Sequence, residues 1–191
     1  MKNRHLILNS LFLALGFVST ASATPIIYSA ILAGSNEVPA NGSAATGSAT
    51  ITLNGNLLNV VESYSGLFSA PTGAHIHCCT PLGSNTSVAV PFTAFLSTTS
   101  GTYTNTFDLT LTSTYTAGFL TAEGGTAAAA EAGLIAGFNS GQAYVNIHDA
   151  LFPGGEIRGQ IAAPTPEPGG LVLLGTGMMG VLQAVRRRVR A

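Results

Sequence analysis

His75, His77 and His148, the adjacent pair Cys78 and Cys79, Asn146, Glu156 and Arg158 are the side chains in this chain best suited to chemistry. They fall in three short segments: Ala74-His75-Ile76-His77, Tyr144-Val145-Asn146-Ile147-His148 and Gly154-Gly155-Glu156-Ile157-Arg158-Gly159-Gln160. Two histidines separated by one residue on a strand share a face, with Cα atoms about 7 Å apart. With His148, Cys78 or Cys79 completing the set, His75 and His77 would be ligands for Zn or Cu. Strand alternation sends Ile76, Val145, Ile147 and Ile157 into a core. It leaves His75, His77, Asn146, His148, Glu156 and Arg158 on the opposite face. If the last two segments pair as a hairpin around 149–153, one polar cluster forms, with Glu156 and Arg158 expected to buttress the imidazoles through charge-assisted hydrogen bonds. The leading reading is a structural hydrogen-bonded network that fixes the strands in register; the alternative is a metal site on His75, His77 and His148.

Cys78 and Cys79 are the chain's two cysteines. Adjacent Cα atoms lie about 3.8 Å apart across a trans peptide, below the usual disulfide span of about 4.4–6.8 Å. Outside the cytosol the choices are a vicinal disulfide, a bond to another molecule, metal ligation or two buried thiols. The vicinal disulfide, as a loop stiffener, is favoured. A redox thiol has no support, because no nearby Lys or Arg would lower a thiol pKa. No serine-nucleophile motif, phosphate-binding loop or carboxylate pair stands out, so no catalytic residues are assigned and a non-enzymatic protein is expected.

The elements that must position these residues are strands. Period-2 apolar patterns recur over 26–32, 49–53, 57–64, 88–95, 103–111, 142–148 and 156–161, and seven short strands separated by turns predict an antiparallel β-sandwich. Asn54-Gly55-Asn56 is a hairpin-turn signal. The Ala-rich stretch 117–138 breaks the pattern and predicts a short helical insertion of one or two helices.

The ends of the chain read as addresses. Lys2 and Arg4 precede an apolar run over 6–18, and small residues follow to Ala21-Ser22-Ala23. This is the layout of a signal peptide over 1–23 with signal peptidase cleavage after Ala23. At the other end a Pro/Gly-rich linker over 162–170 leads into an apolar run over 169–185, near the lower limit for a transmembrane helix. Arg186, Arg187, Arg188 and Arg190 then close the chain and would stay cytoplasmic. Between the ends lies one domain, 24–163, followed by a tail, 164–191. The domain carries seven acids (Glu37, Glu62, Asp108, Glu123, Glu131, Asp149, Glu156) against Arg158 alone, a net charge of 1 − 7 = −6 where the full chain has −1. With no basic surface to neutralise phosphates, nucleic-acid binding is excluded.

Pro166-Glu167-Pro168, the apolar span and the arginine cluster, in that order, resemble the PEP-CTERM sorting signal of Gram-negative bacteria. That resemblance implies recognition and removal of the tail by an exosortase, with transient anchoring in the inner membrane. The chain would then be released to the cell surface, outer membrane or extracellular space, where exopolysaccharide or matrix components are the expected partners. In such a host the sequons at Asn41 and Asn85 carry no meaning.

The domain resembles the CHRD domain. The resemblance rests on Asn36-Glu37-Val38-Pro39, Ser65-Gly66-Leu67, the His75/His77 segment, Tyr144 to His148 and Gly154 to Ile161, in consistent order over 28–161. Cys78-Cys79-Thr80-Pro81 departs from the Gly and Pro that many members carry after the His-x-His. The resemblance implies an immunoglobulin-like β-sandwich in an extracellular setting, with no settled enzymatic activity. His-x-His on a β-sandwich is also distantly similar to copper-zinc superoxide dismutase, whose remaining ligands are not found here.

Overall fold

The computed structural model describes residues 24–164. The expectations placed on Ala21 and Ala23, on Pro166, Glu167 and Pro168, and on the 169–185 span lie outside the described residues. Among the described residues no helix is long and apolar enough to cross a membrane.

Eight strands and two helices follow in the order β1 (Ile26–Ala33), β2 (Thr46–Asn54), β3 (Leu57–Ser65), β4 (Pro71–His77), β5 (Val88–Pro91), β6 (Gly101–Asp108), α1 (Ala117–Ala122), α2 (Ala127–Asn139), β7 (Tyr144–Asp149) and β8 (Ile157–Gln160). All the expected strands form. The 88–95 stretch shortens to β5, ending at Pro91, which has no N–H to continue a ladder. The strand missing from the period-2 reading is β4, whose Pro71, Thr72 and Gly73 hide the alternation that begins at Ala74. The expected helical insertion splits in two. Thr116 and Thr126 each accept a hydrogen bond from the backbone N–H three residues on, capping α1 and α2.

Instead of two packed sheets, the strands join in one sheet, ordered β5-β4-β7-β8-β1-β2-β3-β6. Every pairing is antiparallel. The halves are stitched where β1 meets β8, at Ala33 opposite Arg158 and at a Ser29–Ala162 bridge. The sheet curls until its two edges face each other. Phe92, just past β5, has its ring 5.2 Å from Tyr103 and 5.8 Å from Phe107 of β6, and Tyr103 donates a hydrogen bond to the Thr93 carbonyl. Alternation specifies an inward face. It leaves open whether that face closes on a second sheet or on the far edge of its own.

The enclosed core holds Tyr28, Leu32, Ile51, Leu58, Val60, Ile76, Val145, Ile147 and Ile157, with Phe119, Leu134 and Phe138 entering from the helices. The Phe138 ring lies 5.1 Å from that of Tyr28, whose hydroxyl donates to Asn139 Oδ1 at 2.9 Å.

One core position breaks the apolar rule. Glu62 points inward from β3, opposite Tyr103, and is fully buried with neither carboxylate oxygen hydrogen-bonded. Burial raises its carboxyl from an ordinary 4.5 to about 8. The folded domain therefore keeps a proton that the unfolded chain has already lost above pH 4.5, and stability falls as pH rises from there towards 8. Glu62→Gln should flatten this slope, leaving the smaller share from Glu37, whose carboxyl burial raises to about 7, and raise the melting temperature at pH 8 by about 5 °C or more, measured by circular dichroism across pH 5–9.

Candidate functional site

The centre of the sheet builds the site. β7 pairs with β4 on one side, setting Asn146 opposite His75 and Tyr144 opposite His77, and with β8 on the other, setting Asn146 opposite Arg158. Ile76, Val145, Ile147 and Ile157 point inward and are completely buried. The opposite face carries His75, His77, Asn146, His148 and Arg158, and the 149–156 connection closes the hairpin.

The three histidines converge. One ring nitrogen from each lies within 4.8 Å of the other two. Ring centroids are 5.7 Å apart for His75–His77, 5.1 Å for His75–His148 and 6.2 Å for His77–His148. One of the rings has its tautomer set by a carbonyl oxygen, which can only accept: His77 Nδ1 donates to Thr86 O at 2.8 Å and so presents Nε2 as a lone pair. His148 has an oxygen acceptor at each nitrogen, Pro153 O 3.0 Å from Nδ1 and Asn146 Oδ1 3.0 Å from Nε2, and its neutral ring donates to one of the two. His77 Nε2 and His75 Nδ1 are buried without hydrogen-bond partners. Burial lowers the pKa of all three, helped at His75 by the charges of His148 and His77, and takes His75 down to about 4. A neutral imidazole with Nδ1–H anchored to a backbone carbonyl, as at His77, is the state in which histidine binds a metal.

Glu156 and Arg158 do not touch the imidazoles, correcting the expected buttress. Glu156 accepts from Ser43 Oγ at 2.7 Å and from Phe68 N at 3.1 Å, clamping the Ser65-Gly66-Leu67 turn to the hairpin. Arg158 places its guanidinium 3.3 Å above the Tyr144 ring and donates to Asn85 Oδ1 and Ser84 O. The Tyr144 ring in turn stacks on His77, centroids 4.6 Å apart. Arg158 thus reaches the histidines through one aromatic layer. Alternation assigns a face, and on that face the side chains lean to different neighbours.

Several contributors are invisible to a reading of the three histidine segments. Asp149 is fully buried and accepts from Ser69 N, Ser69 Oγ, Leu151 N and Phe152 N, fixing the loop that delivers Pro153 O to His148. Asn41 donates to Gly155 O and Glu156 O. Glu37 lies against Gly155, a position at φ +127° where any Cβ would collide with the Glu37 carboxyl. Their sequence cues were Asn36-Glu37 and the paired Gly154-Gly155, whose partners lie more than a hundred residues away.

Cys78 and Cys79 are joined by a disulfide immediately after His77. Cys78 is buried and Cys79 exposed, and Cys79 Sγ lies 3.5 Å from Gly133 O. Both sulfurs pack on Gly137 of α2, so the bond ties the end of β4 to the helix and stands apart from the imidazole nitrogens.

Among protein families, the CHRD domain matches residues 28–161, which covers most of the chain. The chain belongs to the CHRD domain family. Comparison with curated proteins and with solved structures finds no match.

The Gly137 contact gives a direct test of how the disulfide is seated. In an ordinary helix interior Gly→Ala stabilises by about 1 kcal/mol. Here a Cβ would overlap both sulfurs, so Gly137→Ala should destabilise by about 1–3 kcal/mol in urea unfolding.

Proposed function

We propose that this chain is an exported, non-enzymatic CHRD-domain protein that acts at the cell surface or in the extracellular matrix as a binding or structural module, and that its folded domain holds one Zn or Cu ion on His75, His77 and His148. The observation that carries the metal reading is the convergence of three ring nitrogens within 4.8 Å, with His77 anchored through Nδ1 to Thr86 O. Zn–N bonds are about 2.0–2.1 Å, so tetrahedral ligand nitrogens sit roughly 3.3 Å apart. Small ring rotations would close the set around an ion. Three imidazoles leave a fourth position for water, the Asn146 amide or a group on a partner.

The export reading rests on the sequence at the two ends. A signal peptide over 1–23 and the Pro166-Glu167-Pro168 tail with its apolar span and arginines support translocation, passage through the inner membrane and exosortase processing. A body with seven acids and Arg158 alone, whose net charge is −6, suits an extracellular setting where polysaccharide or matrix is the partner and nucleic acid is not.

Two measurements test these parts separately. Full-length protein purified in mild detergent and dialysed against Zn or Cu should retain close to one ion per chain and melt several degrees higher than after chelation, since ligand at about a hundredfold over its Kd adds about 2.7 kcal/mol. His75→Ala with His77→Ala should lose both. Wild-type protein that stays metal-free with an unchanged melting curve would sink the metal reading. For sorting, Glu167→Ala should block tail removal and hold the protein in the inner membrane, seen by fractionation and immunoblot; normal processing of that variant would overturn it.

A further inference from the structure

We propose that Asn146 is the fourth ligand of the ion held by His75, His77 and His148, its Oδ1 closing a tetrahedral set that leaves no position for water or substrate. This inference rests on the metal reading and adds what the ion does there. A closed, four-coordinate site is a structural one, whereas a reactive site keeps a position open. The ion then pins β4 to β7 at the centre of the sheet.

The register surrounds Asn146 with the three histidines. It lies directly opposite His75, diagonal to His77, which pairs with Tyr144, and two residues from His148 on the same strand and face. Such neighbours have Cβ atoms about 5 Å apart when opposite and about 7 Å apart when diagonal or successive on one face, within the combined reach of an amide and an imidazole. Asn146 is 2% exposed, so its amide is enclosed with the rings and not hydrated.

The hydrogen bonds around His148 leave two lone pairs in conflict. Pro153 O faces Nδ1 and Asn146 Oδ1 faces Nε2, each at 3.0 Å. Burial keeps the ring neutral, with a single N–H for the two oxygens. On one side a nitrogen lone pair therefore meets an oxygen lone pair. A cation shared between them removes the repulsion, and 3.0 Å is close to the roughly 3.3 Å that separates two ligands bound at about 2.0–2.2 Å to one tetrahedral ion. Only the Nε2 side offers such an ion further donors: the other two histidines each bring a ring nitrogen within 4.8 Å, and His75 Nδ1 and His77 Nε2 are buried without partners. The amide is also turned the right way. Burial raises the Glu37 carboxyl, while Arg158 and the Asn146 amide draw it back down, as an N–H beside a carboxylate does. Asn146 Nδ2 and the Glu37 carboxyl crowd the same space, which a Cβ on Gly155 would fill. Asn36 Nδ2 donates to Arg158 O at 3.1 Å and so seats the segment carrying Glu37 against β8. With Nδ2 turned to the acid, Oδ1 faces the imidazoles.

The test loads full-length, EDTA-treated protein in mild detergent with Co(II), whose visible bands are strong in four-coordinate sites and weak in six-coordinate ones, and then adds thiocyanate. Wild type should show the strong bands and keep them unchanged, because no position is open to the anion. Asn146→Ala should bind cobalt about tenfold or more weakly, with bands that shift on adding thiocyanate. Asn146→Asp keeps an oxygen in the same place and should retain the wild-type bands and their indifference to the anion. A residue that only supports the fold would lower the melting temperature of the metal-free protein and leave the cobalt spectrum and its thiocyanate response as they are; that result in Asn146→Ala overturns the proposal. Thiocyanate-sensitive bands in wild type, a measurement that needs no variant, overturn this inference alone. Wild type that takes up no cobalt overturns the metal reading and this inference together.

Discussion

A β-strand turns alternate side chains to opposite faces, and in most antiparallel sheets one of those faces meets water. β7 is buried on both, with only His148 of its six residues partly exposed. Its inward Val145 and Ile147 join the core, while Tyr144, Asn146 and His148 point outward beneath segments that cross over them. Polar groups placed there must find partners within the protein. That requirement explains the otherwise scattered clamps at Asp149, Glu156, Asn41 and Thr86, each of which brings a loop onto the outer face of the β7–β8 hairpin. The atoms left over are informative for the same reason: His75 Nδ1, His77 Nε2, Glu37 Oε1 and Gln160 Oε1 are buried there without partners, in a region where most other polar groups have one.

Much of this was legible in the residues. Period-2 alternation located the strands except β4, predicted the inward set Ile76, Val145, Ile147 and Ile157, and placed the three histidines on one face. Two physical limits account for the rest. Alternation is blind to curvature, so a closed core could be recognised but a sheet curling onto itself could not be distinguished from two sheets stacked together. Alternation also supplies a face without supplying neighbours. Glu156 and Arg158 were assigned to the histidines for that reason, while the structure gives them to Ser43, Phe68, Tyr144 and Asn85. The roles of Asn36 and Glu37 depend on contacts with residues more than a hundred positions away, which local spacing does not encode.

His77, Tyr144 and Arg158 form a continuous stack, with Tyr144 against an imidazole on one side and a guanidinium on the other. Arg158 is itself 2% exposed, its guanidinium enclosed by Tyr144, Asn85 and Ser84. A change in the position of Arg158 would be felt by His77 through ring packing and through Asn85, whose loop carries Thr86 and its carbonyl.

The meeting of the sheet's two edges has a mechanical consequence. A ladder of N–H···O bonds resists displacement because each bond loses strength steeply with misalignment. The rings of Phe92, Tyr103 and Phe107 meet at the edges largely by dispersion, spread over many weak atom pairs that tolerate sliding. The seam between β5 and β6 is thus the compliant line of an otherwise stitched shell. Glu62, directly opposite Tyr103, sits one strand in from that seam, so the buried carboxyl lies beside the line where the shell is held by ring packing and not by a ladder.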